Sequence, residues 1–226
     1  MKEPEIRFHQ SFNEYFKERI DIGIDIEAKT VKGWIIEFLM DARQKLIKDL
    51  EVNFIKRFDV VIRNLDAQIT PLVTRSGVVI RLDLGMEGID YQDKEELRSY
   101  IFHEIYHLAD RLNPKFDMDY HMDAEAKQKK LGKIINAIWD LYIERRKFYI
   151  YRISPICCKD MKYIETNKIK ENVQYEFLSI LRKLSGDKKI CESIFNKVWD
   201  KSNLITYRQI YDYSIEISDK GYAPHF

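Results

Sequence analysis

Apolar residues recur at intervals of three and four near the start of the chain and again after Gly88, while between those stretches the period drops to two. Phe12, Tyr15 and Phe16 share one side of a short helix predicted from Ser11 to about Arg19, with Ser11 as N-cap and Glu14 as its capping-box partner. Val31, Trp34, Ile35, Leu39, Ala42, Leu46 and Leu50 predict a longer helix from about Glu27 to Leu50. Three short β-branched runs follow: Phe58–Arg63, Ile69–Thr74 and Val78–Leu84. Arg75-Ser76-Gly77 between the last two reads as a tight turn, so these runs predict a small sheet containing a hairpin. Pro71 cannot donate to a ladder and marks its strand as an edge or as irregular.

The helical period then returns. Asp93 is placed to cap a helix running to about Leu112, which Asn113-Pro114 stops. A further helix is expected over roughly Asp123–Tyr149, and Pro155 closes that block. Tyr163–Lys220 reads as about three amphipathic helices, broken near Ser185-Gly186-Asp187 and Lys201-Ser202-Asn203. The expected fold is α+β and mainly helical, with a small, mostly antiparallel sheet before the helix that carries His103. The expected division is a domain over 1–155 and a C-terminal helical subdomain or extension over 156–226.

Composition narrows the function classes. The 226 residues carry 38 Lys plus Arg against 37 Asp plus Glu, a formal net charge of +1. A domain whose main task is to coat nucleic acid shows a clear basic excess, so nucleic acid is not the expected partner, although a local basic patch is compatible with this balance. Three cysteines, two of them adjacent at Cys157 and Cys158, do not make a disulfide framework and suit a reducing compartment. No stretch reaches the roughly 18 apolar residues of a membrane span, and the first ten residues have no signal-peptide core. The expected location is cytoplasmic, with no membrane partner.

The chemistry is concentrated in His103-Glu104-Ile105-Tyr106-His107, the pattern H-E-x-x-H. Positions i and i+4 of a helix lie on one face about 6 Å apart, so two imidazoles at this spacing can converge on one metal ion. Glu104 can reach water at that metal without being a ligand, which is the general-base arrangement of a zinc hydrolase. The flanking Tyr100, Ile101, Phe102, Ile105, Leu108 and Ala109 indicate a largely buried helix. Chance alone yields the motif in a chain of this length at about the one per cent level.

A zinc hydrolase needs a third protein ligand. Between Lys133 and Arg145 the strongly polar residues are Asn136, Asp140 and Glu144, which recur every four positions as one stripe on an otherwise apolar helix. Buried carboxylates must be paired, and a metal or its histidine ligands would pair them. Asp140 is the expected third ligand and Glu144 the reserve. Asp110, three residues past His107, Asn136 and whichever of the two acids is not a ligand are expected to support the ligands by hydrogen bonding, for example by accepting the second N–H of a histidine.

The H-E-x-x-H helix followed by a helix bearing a carboxylate resembles the zincin metallopeptidases, especially their gluzincin arrangement. In that group the acidic ligand often stands in an N-E-x-x-x-D setting. Here Asn136 occupies the place of the family's Glu if Asp140 is matched to its Asp. Asn136-x-x-x-Asp140-x-x-Ile143-Glu144 is closer to the N-x-x-x-D-x-x-I-[N/D/E] helix of other metallopeptidases, and is similar to that of cobaltochelatase-type proteins carrying an H-E-x-x-H. The resemblance spans roughly 57–150. It implies a zincin-like domain, a Zn2+ ion, a peptide or protein substrate, and a strand at Val78–Leu84 that pairs with extended substrate. An oxyanion donor is also expected, with Tyr106, Tyr142, Arg145 and Tyr149 as candidates. The rival reading is a non-catalytic zincin-like module for binding or assembly, its metal structural or absent; Glu104 favours the enzyme, because a structural site needs no base. His121, His9, His225 and the run Lys127-Gln128-Lys129-Lys130 are read as solvated surface.

Overall fold

Four strands form one sheet: Glu5–Phe8 (β1), Ile55–Arg63 (β2), Gln68–Thr74 (β3) and Gly77–Gly85 (β4), in the order β1-β2-β4-β3. They belong to a computed structural model that describes residues 4–20, 27–44, 55–63, 68–74, 77–85, 89–119, 131–151, 153, 166–184, 187–200 and 204–220. Its chain divides into two compact units, Met1–Leu112 and Asn113–Phe226. Pro155, where the sequence places a boundary, lies outside the described residues, as do His121, Lys127–Lys130, Cys157, Cys158, His225 and the chain end. The fold is α+β and mainly helical.

Period-two patterning decides which face of the sheet is dry. Phe58, Val60 and Ile62 of β2 and Ile80, Leu82 and Leu84 of β4 are all buried. The intervening positions of β2 are Arg57, Asp59, Val61 and Arg63, and β4 contributes Arg81 and Asp83 beside them. The β3–β4 hairpin is antiparallel, with Pro71 opposite Ile80 on the edge strand, as Pro71 requires.

The sheet is nevertheless mixed, not mostly antiparallel. β1 pairs with β2 in parallel, Glu5 facing Arg57, and β2 pairs with β4 in parallel. A parallel pair needs a crossover, and two helices lie between β1 and β2 in the chain: Gln10–Ile20 (α1) and Ala28–Ala42 (α2). The hairpin then seats β4 against β2, leaving β3 outside. This order corrects the expectation for Val78–Leu84. β4 is interior, flanked on both sides, and has no open edge to offer an extended peptide; among the described residues the edges are β1 and β3.

The helices of the first unit bury aromatic and aliphatic stripes. Phe12 and Phe16 of α1 are buried, as are Val31, Ile35, Phe38, Leu39 and Ala42 of α2. α1 begins one residue before Ser11, because His9 takes the capping place: its Nδ1 accepts the Ser11 N–H at 3.3 Å and its carbonyl accepts the Phe12 N–H at 3.0 Å. The third helix, Lys94–Leu112 (α3), packs on α2 and β3. Asp93 caps it, one carboxylate oxygen accepting the N–H groups of Glu95 (2.9 Å) and Glu96 (3.1 Å). Replacing Asp93 by Ala strands both donors and is expected to lower stability by about 1 kcal/mol, read from the urea midpoint.

In the second unit, Leu131–Tyr151 (α4) packs against Thr166–Leu184 (α5), Lys188–Trp199 (α6) and Tyr207–Lys220 (α7). Trp139 of α4 stacks on Phe116 at 5.2 Å between ring centres and meets Tyr207 edge-on. Asp187 caps α6 through the Ile190 N–H at 3.1 Å. No helix among the described residues is long and apolar enough to cross a membrane.

Candidate metal centre

The motif helix is as deeply set as its apolar neighbours require. On α3, Ile101, Phe102, Ile105 and Leu108 are fully buried, and His103 and Glu104 retain only 9% and 8% of their surface. His107 is half-buried. One helical turn apart, the two imidazoles place their Nε2 atoms 3.2 Å from each other. Two nitrogens each about 2.0–2.1 Å from a tetrahedral zinc stand about 3.3–3.4 Å apart along an edge of the tetrahedron. The separation is that of an imidazole–imidazole hydrogen bond and also matches two ligands of one ion.

The stripe on α4 is graded in depth. Asn136 is exposed, Asp140 half-buried and Glu144 buried. Among the described residues, one ligand atom from each of His103, His107 and Asp140 lies within 4.8 Å of the other two, a grouping able to hold a metal ion. Two neutral nitrogen donors and one carboxylate oxygen suit zinc and leave coordination room for solvent. Asp110 is buried three residues past His107, so its carboxylate is a group that the interior must satisfy.

Glu144 carries a partner that the stripe pattern did not reveal. The Lys147 ammonium, fully buried, donates to both Glu144 oxygens at 2.9 and 3.1 Å. This engages the reserve acid in an ion pair on its own helix. The i, i+3 spacing of the two was the available signal, but a lysine is ordinarily read as exposed. Lys147→Met removes the cation while leaving the carboxylate inside, and is expected to cost about 3 kcal/mol. Glu144→Gln with Lys147→Met is expected to cost less than the single change, as chemical denaturation of the two variants would show.

The four candidates for an oxyanion donor differ in their contacts. The Tyr142 oxygen accepts the Ile205 N–H at 3.2 Å, and the Arg145 Nε donates to the Trp199 carbonyl at 2.7 Å, so both tie the second unit together. Burial lowers the pKa of Arg145 from its ordinary value, opposed by Tyr142 and Tyr149; the side chain stays a cation. Tyr149 is partly exposed and Tyr106 is buried on α3. No protein-family model, curated protein or solved structure matches the chain.

Proposed function

We propose that this chain is a zinc-dependent peptidase in which His103, His107 and Asp140 hold the metal and Glu104 is the general base. The observation that carries the reading is the grouping of the three ligand atoms, with a buried glutamate directly after the first histidine. A structural zinc is usually closed by four protein ligands, whereas three ligands with an adjacent base belong to hydrolysis.

When bound, the ion supplies Lewis acidity to a water molecule and to the substrate carbonyl. Glu104 accepts a proton from the water as its oxygen bonds to the peptide carbonyl carbon. It then delivers that proton to the amine nitrogen as the C–N bond breaks. The buried Asp110 serves as a hydrogen-bond acceptor that fixes a histidine ring, while Glu144 is held by Lys147. The substrate class is peptide or protein, and the compartment is the cytoplasm, in keeping with the adjacent Cys157 and Cys158.

The test is cleavage of an unfolded general protein substrate by the purified full chain. Cleavage that a chelator stops and added zinc restores is the expected result. A protein that holds zinc yet leaves the substrate intact would overturn the peptidase reading in favour of a non-catalytic module.

A further inference from the structure

A second feature of the first unit lies away from the motif helix. On the face of the sheet opposite its dry side, a cleft of about 510 Å³ is walled by Arg7, Arg57, Arg63 and Arg81, with Asp59 and Val61 between them. The strand register produces this clustering. Arg7 of β1 stands beside Asp59 of β2, and Asp59 beside Arg81 of β4. Period-two alternation thus delivers cationic side chains from three strands to one patch.

The guanidinium groups are held in place. Arg57 grips Asp59 with two parallel bonds, Nε to one oxygen at 2.7 Å and Nη2 to the other at 2.9 Å. Arg81 donates twice to one oxygen of the buried Asp83, at 3.0 and 2.9 Å, and Arg63 reaches the same oxygen at 3.3 Å. Arg7 pairs with Glu5 at 2.7 Å. A guanidinium has five N–H donors, and Arg57 and Arg81 each commit two. Four arginines face three carboxylates, a local excess of one positive charge, and the wall of the cleft itself contains only the Asp59 carboxylate. α1 begins at the same place, His9 and Gln10 lining the cleft, and a helix start adds a partial positive charge.

We propose that this cleft is a binding site for a small phosphate ester, with Arg7, Arg57, Arg63 and Arg81 as the phosphate-gripping residues. Fixed guanidinium forks match phosphate geometry and lose little entropy on binding. A phosphate presents more acceptor oxygens than a carboxylate and close to two negative charges, so it bridges arginines from more than one strand. The volume falls within the 300–1,000 Å³ range of ligand pockets and accommodates a nucleoside monophosphate, with Val61 as apolar floor.

The test is an NMR titration of the full chain, labelled with ¹⁵N, using inorganic phosphate and adenosine monophosphate at constant ionic strength. Acetate and an oligoglutamate peptide serve as anionic comparisons. Saturable shifts of the arginine Nε–Hε signals are expected with both phosphate probes and not with the comparisons. Arg7→Gln combined with Arg57→Gln, both at half-exposed or exposed positions, is expected to weaken phosphate binding by about tenfold or more with the circular dichroism spectrum unchanged. Arg81→Gln is expected to act likewise, and the double variant keeps the test valid if loss of the Asp83 partner unfolds that protein. Failure to saturate with either phosphate probe, equal response to acetate or oligoglutamate, or undiminished binding by the folded double variant would each overturn the proposal.

Discussion

Glu104→Gln is expected to lower peptide hydrolysis by about 10²–10⁴-fold while the protein keeps its metal. The amide matches the carboxylate in size and can still hydrogen-bond in a site where Glu104 is almost entirely buried, but it cannot take a proton from water. Because Glu104 is not among the three grouped ligand residues, the metal content should stay at the parent level. Elemental analysis and a cleavage assay on the same preparation separate the two effects. Parent-level cleavage by the variant would remove Glu104 from the chemistry.

His103→Ala is expected to weaken metal binding by more than about 100-fold, so that the protein is purified without its ion. Loss of outer-shell partners alone costs 10–100-fold in affinity, and loss of a ligand costs more. Asp140→Asn should have the same direction, since the amide is a neutral donor in place of an anionic one. Glu144→Gln should retain the metal, because Glu144 is engaged by Lys147, even though the buried pair is weakened. Elemental analysis of the three proteins therefore tests the assignment of the third ligand. Metal retained by Asp140→Asn and lost by Glu144→Gln would exchange the roles of the two acids.

Much of this arrangement is legible in local sequence. The cap at Asp93 is read from one polar residue before an apolar period, and the H-E-x-x-H spacing places His103 and His107 on one face whatever else the chain does. The hairpin follows from alternation on either side of a glycine-containing turn. What escapes is non-local. β1 is four residues, Glu-Ile-Arg-Phe, whose alternation is too short to stand out, and its partner strand begins some fifty positions later. The interior place of β4 depends on that pairing and on β2, and neither is visible within Val78–Leu84. The burial of Lys147 escapes for another reason: residue type argues for exposure, and only the three-dimensional surroundings make the Glu144 carboxylate its best neighbour.

The parallel match of Glu5 with Arg57 has a kinetic side. Bringing these strands together closes a long loop before any ladder bond rewards it, and such distant pairings slow folding. The first half of the chain should therefore be the late half: in pulse-labelled refolding, amides of α4, α5 and α6 gain protection early, and those of β1 and β2 last. During that interval Phe58, Val60 and Ile62 of β2, buried in the finished sheet, have no strand to either side and stand open to association with other chains.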